Sequence, residues 1–303
     1  MAISRSQLVK ELEPGLNALF GLEYKRYENQ HAEIYNEESS DRAFEEEVML
    51  SGFANAQVKG EGSGVSFDEA QETFTARYTH ETVALAFAIT EEAIEDNLYD
   101  RLASRYTKAL ARSMSNAKQV KSVEPLIQGL PTTNNFDSGD GVSLFNTAHP
   151  TVAGTFANTL ATQADLNETS LEQSMIDIAQ MTDERGLRIA ARGVKMIIPS
   201  ELQFTAERLM KSQGRTGTAD NDINAIVSMG MVPQGYRVNN YLTDSDAFYI
   251  LTDIPNGMKM FNRAPLTTAM EGDFDTGNVR YKARERYSFG VSDPRGIFGV
   301  EGA

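Results

Sequence analysis

The 303-residue chain contains no cysteine and no tryptophan. Without cysteine there are no disulfides, no thiolate nucleophile and no Cys-based zinc site, so stability has to come from burial and association. Long apolar runs are also lacking: the most apolar stretch, residues 83–89, falls far short of the roughly 18 residues needed to span a bilayer. The N-terminus has no apolar core and no small-residue cleavage site, so no secretory signal is read and the chain is expected to stay in the cytoplasm where it is made. Positive charge is in short supply, with 28 Lys and Arg against 43 Asp and Glu and a net charge of −15. Nucleic-acid affinity rests on neutralising phosphates, so this balance disfavours a phosphate-binding surface; nucleic acid is expected to be confined here, not gripped.

Histidine is scarce too. His31, His80 and His149 show no metal-ligand spacing, and a satisfied structural role is expected for each. No serine is framed as Gly-x-Ser-x-Gly. The Gly60-x-Gly62-x-Gly64 run lacks phosphate-loop spacing and reads as a turn. Asp273-Phe274-Asp275-Thr276-Gly277 starts like a calcium loop, but the twelfth position is Arg284 where a bidentate Glu is needed. Glu91, Glu92, Glu95 and Asp96 are explained by a helix N-terminus. No catalytic residue, metal ligand or cofactor site is assigned, and the chain is read as no enzyme.

What is present is 15 Phe, 11 Tyr and 12 Met, enough for a core and for interfaces. Residues 6–19 form a short amphipathic segment interrupted by Pro14-Gly15, followed by a Tyr- and Glu-rich stretch with no clear period. Such a terminus has little to bury by itself, so it is either loosely ordered or an arm that packs on a neighbouring subunit. Phe74, Ala76 and Tyr78 alternate with Thr73, Thr75, Arg77 and Thr79, which predicts a strand. With the glycine turn before it, a long two-stranded ribbon results, and a ribbon that long needs something to lie on.

A helix of about 30 residues is predicted from Thr90 to Glu124, with Thr90 as cap and acids in its first turns. Ile94, Leu98, Leu102, Ala109 and Leu110 form its apolar stripe. Arg101, Arg105, Lys108 and Arg112 share one face, open to salt bridging or to contact with packaged nucleic acid or a scaffold. Residues 128–162 read as an excursion loop with short strands. Helices are predicted over 167–183 and from Ser200 as cap to Lys211, with Leu202, Ala206 and Leu209 inward, and a buried strand over 194–198. Residues 213–222 read as a mobile loop. Strands follow at 236–241 and 247–251, joined by a turn at 243–246, and the last strand, 279–289, sets Tyr281, Ala283, Glu285 and Tyr287 against Lys282, Arg284 and Arg286.

The ordered set of elements resembles the tailed-bacteriophage major capsid proteins of the Hong Kong 97 fold. The likeness is carried by residues 78–96 (Tyr78-Thr79-His80 through Ile94-Glu95-Asp96), by Leu144-Phe145-Asn146-Thr147-Ala148-His149-Pro150, by Met196-Ile197-Ile198-Pro199-Ser200-Glu201-Leu202 and by Arg284-Glu285-Arg286-Tyr287-Ser288-Phe289-Gly290. The resemblance implies an α+β fold with an N-terminal arm (1–43), an extended β-hairpin loop (44–83), a peripheral domain with a long spine helix (84–130 and 259–287), an excursion loop (131–159) and an axial α/β domain (160–258 and 288–303). It implies hexamers and pentamers of this chain in an icosahedral shell around double-stranded DNA, assembled in the host cytoplasm with portal and decoration proteins as further partners.

The chain begins at Met1 with no long region ahead of the arm, so a separate scaffolding protein is expected; no crosslinking Lys–Asn pair is assigned. Inter-subunit contacts are expected at Phe53, Arg77, Tyr78, Glu91, Arg101, Arg105, Arg284 and Arg286, with arm and ribbon ordered by assembly. An encapsulin-like compartment shares the implied fold and differs in its contents; a more distant alternative is an α/β hydrolase or binding protein.

Overall fold

A computed structural model of the chain describes residues 5–90, 92, 99–214, 222–273 and 277–303, with the backbone course alone at 5–13 and 99–102. Two four-stranded sheets organise it. The first has the order β1-β10-β11-β4 and the second β12-β9-β7-β8. The first is made of β1 (Asn36–Ser39), β4 (Glu81–Ile89), β10 (Met258–Gly272) and β11 (Val279–Val291). The second is made of β7 (Gly193–Ile198), β8 (Tyr236–Val238), β9 (Phe248–Thr252) and β12 (Ile297–Val300). The ribbon β2 (Phe44–Leu50) and β3 (Glu72–Thr79) forms a separate antiparallel pair, as does β5 (His149–Thr151) with β6 (Gly154–Phe156).

Strand β11 shows why the first sheet forms. Val279, Tyr281, Ala283, Glu285 and Tyr287 are buried while Arg280, Lys282 and Arg284 are exposed and Arg286 is half-buried, the period of two read from the sequence. β10, at 15 residues the longest strand, has no such signature and escaped the sequence reading. Pro265 interrupts it, and its pairing with β11 shifts register at Asn262/Ala264 and Ala264/Thr267, so the residue without a ladder donor sits in an irregularity.

The helix α2 (Tyr99–Gln128) lies on the inward face of this sheet and extends about 45 Å. It runs through Pro125 to Gln128, past the expected end at Glu124. Its expected start falls on 91 and 93–98, outside the described residues, as do Ile94 and Leu98 of the expected stripe. Ala109 is exposed, and the buried seam is instead Ala103, Thr107, Leu110, Ala111, Met114, Ser115, Gln119, Ser122, Val123 and Leu126, at helical spacings of three and four.

The arm departs most from expectation. The helix α1 (Arg5–Arg26) continues through Pro14-Gly15, and Leu16, Phe20 and Tyr24 pack against Ala103, Leu110, Ala111 and Met114 of α2 and against Tyr281 and Ala283 of β11. Apolar side chains at 16, 20 and 24 form one face, and its burial outweighs the weak helix propensity around Pro14. Asn17 Oδ1 accepts from Thr268 Oγ1 at 2.7 Å and from the Tyr281 hydroxyl at 2.8 Å. The Tyr- and Glu-rich stretch after it supplies a 3₁₀ turn (Gln30–Glu33) and β1, which runs parallel to β10. From Leu16 onward the arm docks on its own chain, which corrects the expectation that it needs a neighbour.

His31 holds that docking. Its backbone N–H donates to Gln119 Oε1 at 3.0 Å; Nε2 faces Glu37 Oε1 at 3.1 Å and Nδ1 faces Gln119 Nε2 at 3.1 Å. A carboxylate only accepts, so the network assigns the proton to Nε2 and leaves Nδ1 to accept from Gln119. Protonating Nδ1 would set two donors against each other. Burial, followed by the nearby Lys118 charge, pulls the His31 pKa below its usual value, although Glu37 and Gln119 oppose this.

In the second lobe, β7 is buried on both faces: Met196 and Ile198 point into one core with Leu171, Ile178, Ile250 and Phe298, and Ile197 into another with Leu126, Phe145, Tyr249 and Ile297. The helix α3 (Glu168–Gln180) starts with Asn167 accepting from Ser170 N–H while Ser170 Oγ accepts from Asn167 N–H. Ser200 does not cap as expected; a 3₁₀ turn (Ser200–Leu202) precedes α4 (Gln203–Lys211), which buries Ala206 and Leu209. A short helix α5 (Ala225–Ser228) is capped by Asn224. Strands β8 and β9 do not pair with each other but flank β7, β8 parallel and β9 antiparallel to it. Most of the expected loop at 213–222 lies outside the described residues. The excursion is pinned by buried His149, between Asp140 Oδ2 at 2.6 Å and Asn158 Oδ1 at 2.9 Å.

Two outcomes follow from these contacts. A Cβ on Gly299 would meet the Phe145 ring at 2.6 Å, so Gly299→Ala is expected to lower stability in denaturant unfolding by about 1–3 kcal/mol through overpacking. His31 has a folded pKa below its unfolded one, so its contribution is complete above about pH 6.5 and shrinks as pH falls through that value. The thermal midpoint is expected to drop between pH 7 and 5.5, and His31→Gln to flatten that dependence.

Candidate functional site

Three surfaces have the properties of contact sites: the ribbon, the outer face of the first sheet, and the outer face of α2.

The ribbon is fixed at its base and bare beyond it. Tyr78 packs edge-on against Phe261 with ring centroids 4.8 Å apart, and its hydroxyl lies 2.5 Å from Ser292 Oγ. Gly290 leaves room for that ring, since a Cβ there would meet Tyr78 Cε1 at 2.6 Å. His80 sits between Ser40 Oγ at 3.0 Å and Ser288 Oγ at 2.9 Å. Lys259 bonds Glu47 at 2.5 Å and Glu38 at 3.2 Å; burial draws its pKa down, but the two carboxylates outweigh this and raise it. Strand pairing in the ribbon ends at Phe44↔Thr79, and from Glu81 the chain runs in the first sheet.

Past Leu50 the chain has no strand until Glu72, and the glycine run forms a turn with Gly62 at φ +79°. Phe53 is 62% exposed, Phe67 97% and Val58 fully exposed, joined by Val48, Leu50 and Val65. So much bare apolar surface on one extension marks an interaction surface. Its tether back to the body is Arg185, which reaches Asp68 at 3.5 Å and the Glu69 carbonyl at 2.5 Å.

The outer face of the first sheet is read from its register. Arg280, Lys282, Arg284 and Arg286 form a row along β11, flanked by Ala88, Ala86, Ala84 and Thr82 of β4 and by Glu271, Ala269, Thr267 and Ala264 of β10. Alternate strand residues lie about 6.7 Å apart, so the row spans roughly 20 Å between rows of mainly small side chains. Arg280 pairs with Asp273 at 2.6 Å, whereas Lys282 and Arg284 have no acid within ion-pair distance among the described residues.

The expected contact residues therefore divide. Phe53 is on the bare ribbon, and Arg284 and Arg286 are in the sheet row. Arg77 is exposed on the ribbon, with its guanidinium carbon 4.1 Å from the Phe44 ring centroid and Glu46 at 3.7 Å. Arg105 is exposed on α2. Tyr78 is turned inward and buried, which leaves little of it for a neighbour. Glu91 lies outside the described residues, and the side chain of Arg101 is not described. Sequence reading missed Val58, Val65, Phe67 and Lys282 as contact residues; for the first three, large apolar side chains recurring on both sides of a glycine-rich turn were the available signal.

Comparison with solved structures places this arrangement in a class. The chain matches a virus-like particle from Pyrococcus furiosus with a TM-score of 0.55 at 10% identity, covering 95% of this chain and 98% of that one. It matches the capsid of Myoviridae phage XM1 with a TM-score of 0.55 at 12% identity, covering 89% of each, and Mycobacterium phage Che8 with a TM-score of 0.51 at 15% identity, covering 91% and 93%. At these identities the likeness is one of fold, that of a capsid shell subunit. No curated protein matches the chain by sequence at a significant level. The model of the phage capsid protein family matches residues 72–300, about three quarters of the chain. The chain belongs to that family: it is a phage major capsid protein with the Hong Kong 97-type fold.

If the ribbon base is set by Tyr78, its loss should free the ribbon without unfolding the body. Tyr78→Ala is expected to raise amide hydrogen exchange over residues 44–50 and 72–79 at least tenfold while exchange in β7 and β9 stays unchanged.

Proposed function

We propose that this chain builds an icosahedral shell of hexamers and pentamers around double-stranded phage DNA, and that the bare ribbon is what joins one copy to the next. The observation that carries the proposal is the exposure of Phe53, Val58, Val65 and Phe67 on an extension with no core of its own. Each large apolar side chain moved from water onto a neighbour contributes on the order of 1.5–3 kcal/mol, before the ordering of the loop is subtracted. The outer row of Lys282, Arg284 and Arg286 supplies an electrostatic complement, because every neighbouring copy carries an excess of acid.

In this reading residues 1–43 are the arm, 44–83 the extended loop, 84–130 and 259–287 the peripheral domain with α2 as its spine, 131–159 the excursion, and 160–258 with 288–303 the axial domain. Phe53, Arg77, Arg284 and Arg286 meet neighbours, as do Glu91 and Arg101, while Arg105 belongs to the basic outer face of α2 and is left to another partner. Assembly takes place in the host cytoplasm with a separate scaffolding protein, a portal and decoration proteins, and no catalytic step is involved. The DNA is enclosed without sequence-specific binding.

Electron microscopy of the expressed chain, alone and with its candidate scaffold, is expected to show closed shells containing nucleic acid; a cargo enzyme inside would point to an encapsulin-like compartment. The double variant Phe53→Asp, Phe67→Asp is expected to abolish shells while leaving the thermal midpoint of the unassembled chain within about 2 °C, since both side chains are already exposed. Shells that form normally from that variant would sink the ribbon as the joining element.

A further inference from the structure

Among the described residues, the outer face of α2 is a basic region whose cations the chain leaves unused. Arg105, Lys108 and Arg112 are exposed, and among the described residues none has an acid within ion-pair distance, although acids outnumber bases 43 to 28. Salt bridging, the simpler account of this face, is not what the structure shows. Two further bases of the helix are used: Lys118 meets buried Glu285 at 3.7 Å and Lys121 pairs with Glu81.

The three cations stand three and four residues apart, one stripe over about 10 Å of helix. Asn116 prolongs the stripe by another turn. Lys108, Arg112, Ser113 and Asn116 line an open cleft of about 550 Å³ whose far wall is Glu23 of α1 and Tyr27 just after it. Ala109 is its single apolar side chain, so the cleft does not suit a hydrophobic peptide. Glu23, its one acid, is engaged by Tyr27 at 3.3 Å and Arg26 at 3.5 Å. Arg, Lys, Ser, Asn and Tyr are the side chains that hold phosphate oxygens, and guanidinium forks bind them in pairs. The net charge of −15 does not cancel such a stripe, because charges more than about 8 Å away are largely screened at physiological salt.

We infer that this face of α2 is a contact surface for the sugar-phosphate backbone of nucleic acid, independent of base sequence. The inference rests on the capsid reading to the extent that a shell interior supplies the polyanion. Contacts are few per copy and gain strength by repetition across a shell.

The unassembled full chain is titrated with a random-sequence DNA duplex and with poly-glutamate across a range of salt, and lysine acetylation is mapped with and without DNA. Expected are DNA binding at low salt, Lys108 shielded from acetylation while Lys282 stays reactive, and weaker binding of poly-glutamate at equal charge. The triple variant Arg105→Gln, Lys108→Gln, Arg112→Gln should bind DNA at least tenfold more weakly, with a log–log salt slope shallower by roughly 2–3, at about 0.9 per phosphate contact. Lys282→Gln with Arg284→Gln should change neither.

Equal binding by the triple variant, an unshielded Lys108, or poly-glutamate binding as tightly as DNA would overturn the inference, the last pointing to an acidic protein partner. The acetylation map needs no variant and so is immune to a folding defect. Shell formation is scored on the same samples: shells without DNA contact remove this inference alone, whereas DNA contact without shells strikes the capsid reading.

Discussion

The alternation along β11 is the constraint on which the rest of the structure depends. Its inward residues, Tyr281, Ala283, Glu285 and Tyr287, receive α1 and α2, and its ladder holds β10 on one side and β4 on the other. A register slip of one residue would turn four cations into the helices and the aromatic rings into water. Because β4 follows β3 with only His80 between them, the same ladder sets the direction in which the ribbon leaves the body. Tyr78, His80 and Lys259 then lock that exit.

One inward residue breaks the apolar rule. Glu285 is buried beside Lys118, with the Tyr24 hydroxyl 3.4 Å from Oε2, so it touches the arm helix, the long helix and the sheet at once. Burial raises its pKa, opposed by Lys118 and Tyr24. A paired buried charge of this kind adds little net stability compared with an apolar substitute, but removing one member strands the other. Its effect is on orientation: α1 and α2 can pack many ways by shape, and only one puts Tyr24 and Lys118 on the same carboxylate.

Net charge and local charge diverge in this molecule. The chain is acidic as a whole, yet two faces hold cations that no acid among the described residues neutralises: Lys282 and Arg284 in the β11 row, and Arg105, Lys108 and Arg112 on α2. A shell subunit has to meet copies of itself, each equally acidic, and the proposed contact with nucleic acid adds a polyanion. Localised positive faces in an acidic protein let it do both while the remaining surface stays soluble.

Patterns with a short period were legible in the sequence. The two-residue period of β3 and β11, the apolar run of β7, the long uninterrupted helix, the helical period that starts at 167 and the glycine turn of the ribbon are local, since each depends on residues within one or two turns of one another. From their order the fold family could be read. The tertiary structure alone decided what depends on distant partners: that α1 continues through Pro14 because Leu16 and Phe20 find α2, that β8 and β9 flank β7 instead of pairing, that irregular β10 is a long central strand, and that Tyr78 faces its own chain. It also decided which charges are spent. Arg105, Lys108, Arg112 and Lys118 look alike along the helix, and only folding brings Glu285 to one of them and leaves the other three open.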